Sequence, residues 1–170
     1  MVLEKYFTTT EIEELKKSTD MINKCEILVT RLFENRTDKA GKPYIGHLKR
    51  VSNNLKKEDE ICAALLHDTI EDIEGMTEEI LLSLNIPKNI IDMVILVTKT
   101  KNIPYEEEIN KIIASKNIGA LKIKYFDMLD NLDPMRLSKL DNHTQERLKQ
   151  KYETQLKKII LELKKVGEIK

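Results

Sequence analysis

At 170 residues the chain has the length of one domain, able to bury roughly two-thirds of its unfolded surface without disulfides. Its 29 basic and 29 acidic residues cancel, so no overall field draws it to DNA, RNA or an anionic membrane. Hydrophobic residues at 41% and charged residues at 34% describe a globular protein with its charge on exposed faces, and no run of about 18 apolar residues or signal-peptide core is present.

The elements read almost entirely as helix. Thr10 with Glu13 forms a capping box and predicts a short first helix running past Leu15. From Asp20 to about Asn35 the set Ile22, Cys25, Val29, Leu32 and Phe33 makes a buried stripe. Asp38 to Pro43 reads as a loop, after which Tyr44, Leu48, Val51 and Leu55 share one face. Ile61 to Leu66 is apolar all round, as in a central helix, and ends at His67 and Asp68. Glu71 to Gly75 reads as a polar turn, followed by a short helix around Leu81 to Leu84 with Thr77 as its available cap. Pro87 and Pro104 open helices near 87–98 and 104–115. A second central helix covers Leu121 to Leu132, with Asp133 and Pro134 starting a short helix after it. A closing amphipathic helix is expected from about 144 to 166. Glycine and proline, at five and four, fall between these segments, and neither a repeat nor strand alternation is seen.

Cys25 and Cys62 stand singly in apolar surroundings, without a CxxC motif, and read as small core residues in a reducing cytoplasm. Of the three histidines, His143 sits in a polar stretch and reads as solvated. His47 and His67 lie in segments that otherwise make good core helices. A titratable ring followed by a carboxylate at the end of Ala63-Ala64-Leu65-Leu66-His67-Asp68 is costly to bury unless something compensates. A divalent cation would compensate for both, and imidazole with carboxylate suits manganese, iron, zinc or magnesium. Asp127 and Asp130 stand three apart on one helix and repel unless solvated or neutralised. Asp127, flanked by Tyr125, Phe126 and Leu129, reads as drawn inward, whereas Asp130 and Asp133 read as solvated or capping.

These segments resemble the HD-domain phosphohydrolases, and within them the hydrolase domain of the RelA/SpoT alarmone enzymes and their small stand-alone relatives. The resemblance runs in order through Gly41-Lys42-Pro43-Tyr44-Ile45-Gly46-His47, through His67-Asp68-Thr69-Ile70-Glu71-Asp72, and through Ile123-Lys124-Tyr125-Phe126-Asp127-Met128-Leu129-Asp130-Asn131. It implies a compact all-α HD-type bundle, one domain over 1–170 with its motif core at about 28–137. It implies metal ligation by His47, His67, Asp68 and Asp127, and an acid–base pair in Glu71 and Asp72. Lys39, Lys42, Lys124, Asn131 and Arg136, in or beside the motifs, are the candidates for holding a phosphorylated substrate.

The chain departs from the family at three places: Asp38-Lys39 replaces an arginine–lysine pair, Asp130 replaces a histidine, and Pro134 follows the last motif. The expected function is therefore metal-dependent hydrolysis of a small nucleotide, most readily with manganese, and ppGpp 3′-pyrophosphate removal is the first substrate to try. A nucleotidase acting on a nucleoside monophosphate, or a degenerate module that binds nucleotide without turnover, are the alternatives.

Overall fold

The computed structural model describes residues 2–170. A 3-10 turn at Leu3–Lys5 precedes α1 (Thr9–Lys17), α2 (Met21–Leu32), α3 (Ile45–Ser52) and α4 (Glu58–Leu66). There follow α5 (Thr69–Asp72), α6 (Glu78–Ser83), α7 (Lys88–Val97), α8 (Tyr105–Ser115), α9 (Ile118–Asn131), α10 (Pro134–Leu137) and α11 (Asn142–Lys165). No strand occurs among the described residues; the fold is all-α.

The first helix starts two residues earlier than expected. Thr8 is the N-cap and shares a reciprocal capping box with Glu11. Both Thr8/Glu11 and Thr10/Glu13 satisfy the pattern, but the earlier frame puts Phe7 and Ile12, both buried, at the two positions of a hydrophobic staple. The later frame would put Thr9 and Glu14 there. Thr8→Ala should cost about 1 kcal/mol and lower Tm by roughly 2–4 °C in a thermal melt, whereas Thr10→Ala should leave it nearly unmoved.

α4 is the axis of the bundle. It packs against α2, α3, α7 and α9, which explains why it has no polar face. Its one fully interior carboxylate, Glu60, accepts a 2.6 Å hydrogen bond from Lys122 Nζ and thereby ties α4 to α9. α9 starts close against α7 because residue 119 is glycine, where a Cβ would collide with Met93 Sδ. Asp20, Asn117, Asp133 and Asp141 cap α2, α9, α10 and α11 through side-chain acceptors. Thr77 precedes α6 without a side-chain cap, and Pro87 and Pro104 occupy the N-cap positions of α7 and α8, one residue before the first turn.

The polar turn expected at Glu71 to Gly75 is found only from Ile73 to Gly75, and Glu71 and Asp72 are helical instead. Backbone bonds from Asp72 N to Asp68 O and from Ile73 N to Thr69 O close a helical turn, α5, directly after α4. Ile73 is buried and pins that turn to the core. The consequence is geometric: α4 and α5 carry His67, Asp68, Glu71 and Asp72 into one place.

Candidate metal centre and active site

The His-Asp pair sits where α4 stops, so the core helix delivers an imidazole and a carboxylate to its own end. His67 is 2% exposed, and its Nδ1 lies 2.6 Å from Ala64 O. A carbonyl can only accept, so Nδ1 carries the proton and the lone pair of the neutral ring is on Nε2. That Nε2 is buried and has no hydrogen-bond partner, although Asp68 Oδ2 lies 3.1 Å away. His47, on α3 and 3% exposed, repeats the arrangement: its Nδ1 is 2.6 Å from Asp130 Oδ2, an acceptor, and its Nε2 is 3.6 Å from Asp68 Oδ2 and 3.4 Å from Asp127 Oδ1. His67 Nε2 is 4.0 Å from the same Asp127 oxygen. Ligand atoms of His47, His67 and Asp127 all lie within 4.8 Å of one another, and Asp68 closes the group.

The electrostatics carry the same message. Burial by itself would raise the pKa of Asp127, but the Lys124 ammonium and the two imidazoles hold its carboxyl well below the usual range. Burial likewise opposes ionisation of Asp68, and the His67 ring outweighs it and keeps that carboxyl low. Burial also disfavours a charged His67, yet the facing Asp68 and Asp127 raise its pKa above that of ordinary imidazole. Two ionised carboxylates facing two rings in a dry place call for positive charge, and two aligned Nε2 lone pairs call for a metal rather than a proton. The residues present therefore fit a divalent cation.

The supports of these ligands are as definite as the ligands. Tyr44 Oη donates to Asp68 Oδ2 at 2.6 Å while its ring stacks on Phe33, centroids 5.1 Å apart. Asn131 Nδ2 donates to Asp127 Oδ1 at 2.7 Å and to the Asp127 carbonyl, and Lys124 donates to Asp127 Oδ2 at 2.9 Å. Asp130 does not face solvent, contrary to expectation. Its side chain is 8% exposed, receives the His47 ring, and is gripped by Arg50 Nε at 2.5 Å and by Arg136 Nη1. A carboxylate on the far nitrogen of a ligating histidine fixes the tautomer and raises ligand basicity. Asp130→Ala is expected to weaken metal affinity about 10- to 100-fold in a chelator competition.

A cavity of about 410 Å³ opens over this centre. Lys39, Lys124, Asn131, Arg136, Glu71 and Asp72 line it, together with three of the four predicted ligands; His67 lies beneath. Lys42 does not line it and is exposed; its backbone N–H and C=O instead close the 38–42 loop around Asp38. Asp38 is buried, accepts from Ala40 N and Lys42 N, and pairs with Arg136 Nη2 at 3.1 Å, so the departure at this position builds the loop. Glu71 accepts from Lys99 N at 3.1 Å. Burial, then the neighbouring Asp68 and Glu71, push the Asp72 carboxyl above its ordinary pKa. Sequence reasoning missed Tyr44, Lys99, Tyr105, Lys151 and Tyr152 as cavity residues. Tyr44 was in plain view within the glycine–proline segment; the others had no signal beyond belonging to helix faces and a lysine-rich turn.

No protein-family model matches the chain. It is 32% identical over 136 residues to the Drosophila melanogaster guanosine-3′,5′-bis(diphosphate) 3′-pyrophosphohydrolase MESH1, which covers 75% of this chain and 74% of that protein. The chain belongs to the HD-domain phosphohydrolases. A solved structure, described as a metazoan orthologue of SpoT that hydrolyses ppGpp, matches this HD-domain fold with a TM-score of 0.61 at 21% identity. The match covers 89% of this chain and 98% of that one. As in the family pattern, the cluster of His47, His67 and Asp127 supports a divalent metal in this HD-domain enzyme. No described helix is long and apolar enough to cross a membrane.

Proposed function

We propose that this HD-domain enzyme removes the 3′-pyrophosphate from ppGpp, with His47, His67, Asp68 and Asp127 holding the metal. The observation that carries the reading is the pair of imidazoles whose Nε2 atoms face two low-pKa carboxylates, each ring fixed by an acceptor at Nδ1. Nitrogen donors favour a borderline metal, and manganese is the choice proposed here. A divalent cation held there lowers the pKa of water, polarises a phosphoryl oxygen and offsets negative charge.

The chain's own groups then divide the work. Glu71, tethered by the Lys99 backbone, orients the attacking water. Asp72, whose raised pKa suits it to take a proton, accepts that proton on its carboxylate. Lys39 meets the substrate's phosphates, while Lys124, Asn131 and Arg136 serve mainly through Asp127 and Asp130, with which they are already bonded. The relative's activity on guanosine-3′,5′-bis(diphosphate) supports the choice of substrate.

The test is a product analysis. Metal-loaded protein, prepared separately with manganese, iron, zinc and magnesium, is incubated with ppGpp and with nucleoside monophosphates, and products are read by mass spectrometry. Equal release of guanosine 5′-diphosphate and pyrophosphate from ppGpp is expected. Orthophosphate from monophosphates alone would replace this substrate with a simpler one, and no release from any nucleotide would make the protein a binding module.

A further inference from the structure

Charge is unevenly settled around the cavity. Two of its cations are already committed, Lys124 to Asp127 and Arg136 to Asp38 and Asp130. Three others, Lys39, Lys99 and Lys151, have no carboxylate within 4.0 Å among the described residues. They come from three separate places: the loop before α3, the turn after α7, and the middle of α11.

Lys151 is the most constrained of them. Its Nζ lies 4.6 Å from the ring centroid of Tyr105 and 4.7 Å from that of Tyr152, and it donates to Tyr152 Oη at 3.2 Å. Beside it, the Tyr105 hydroxyl is buried and has no hydrogen-bond partner. A half-buried ammonium on two aromatic faces, an unused hydroxyl and two more ammonium groups without a carboxylate partner thus line one cavity. Nothing in the water-binding chemistry of the metal centre needs them. Burial, then Lys124 and Lys99, bring the Lys151 ammonium down to about 8, with Asp127 opposing them and Lys39 adding a smaller push. Like charges collected in one cavity are unfavourable until an anion shares them.

We propose that Lys151, with Lys99 and Lys39, forms a second anion subsite that holds a phosphoryl group of the substrate other than the one hydrolysed, and so selects nucleotides phosphorylated at two positions. The selection rests on the phosphohydrolase reading above; the anion subsite itself does not. The groups facing Lys151 are Lys124 and Asp127 on α9, Lys99 after α7, Lys39 before α3, Tyr105 on α8 and Tyr152 on its own helix.

The first measurement compares kcat/KM for ppGpp with that for guanosine 3′-diphosphate, which lacks the 5′ phosphates. Lys151→Met is expected to lower the ratio about 10- to 100-fold, with Lys99→Met lowering it in the same direction and Lys151→Arg restoring it. In the wild type the ratio should fall as pH rises through about 8, where Lys151 loses its proton, and Lys151→Arg should hold it flat. The second measurement is calorimetric binding of inorganic pyrophosphate to metal-free protein, expected to weaken about tenfold or more in Lys151→Met. An unchanged ratio in both methionine variants, or undiminished pyrophosphate binding in folded Lys151→Met, would overturn the subsite. Should the wild type hydrolyse neither nucleotide, the reaction assignment has failed, and the pyrophosphate titration alone decides for or against the anion surface.

Discussion

His67→Ala is expected to abolish stoichiometric metal binding and to cut kcat/KM by at least about a thousandfold. Losing several kcal/mol of transition-state stabilisation corresponds to that factor, since about 1.4 kcal/mol is tenfold. The ring is buried at the end of α4 with its Nδ1 held by Ala64 O, which aims Nε2 at Asp68 and Asp127. Removal leaves Asp68 and Asp127 facing each other with less positive charge between them, and both carboxyls should titrate higher as a result. Metal content by elemental analysis and turnover of ppGpp would be measured together, with circular dichroism to verify the helices. Asp127→Asn provides a second route, because it keeps the volume and removes the charge. A variant of either kind that retains a full complement of metal and normal turnover would remove the basis for the assigned centre.

Asp72→Asn should lower kcat by about 100- to 10,000-fold while metal content stays at the wild-type level. The sign of its pH dependence follows from the raised pKa. A base must be ionised to act, so wild-type kcat/KM should fall on the acid side through a midpoint above the ordinary aspartate value, and Asp72→Asn should lack that limb. The stability effect runs the other way. A carboxyl whose folded pKa is raised is destabilising when ionised, so at neutral pH the asparagine variant should melt no lower than the wild type and slightly higher. A variant with unchanged kcat, or one that loses metal with its activity, would take Asp72 out of the proton-transfer role.

How much of this was legible beforehand depended on where the physics was local. The all-α architecture followed from helical periodicity and from the glycine and proline punctuation, and the expected Asp133 cap of α10 is present, whereas the caps at Asp20, Asn117 and Asp141 were not read from the sequence. Which threonine caps α1 was not decidable from the capping box alone, because two frames fit and burial of Phe7 and Ile12 chooses between them. α5 was invisible as a helix since one turn has no period to detect; Ile73 makes it by anchoring its end. At the site, the motifs pointed to the right neighbourhood, but Asp130 shows their limit. Its carboxylate reads as a liability next to Asp127 until Arg50 and the His47 ring from α3 and Arg136 from α10 surround it. Lys151 shows the converse: on a helix rich in lysine, nothing local distinguishes the one seated on two tyrosines.

The placement of α11 has a consequence for how the enzyme comes into being. The four assigned ligands are all in the chain by residue 127, whereas Lys151 and Tyr152 are supplied by the last helix. During synthesis the cation-binding half can assemble before the wall that receives the remote phosphate has left the ribosome. A C-terminally clipped chain would thus keep the four ligand side chains in sequence while losing both the cover that α11 lays on α9 and the wall of the proposed anion subsite.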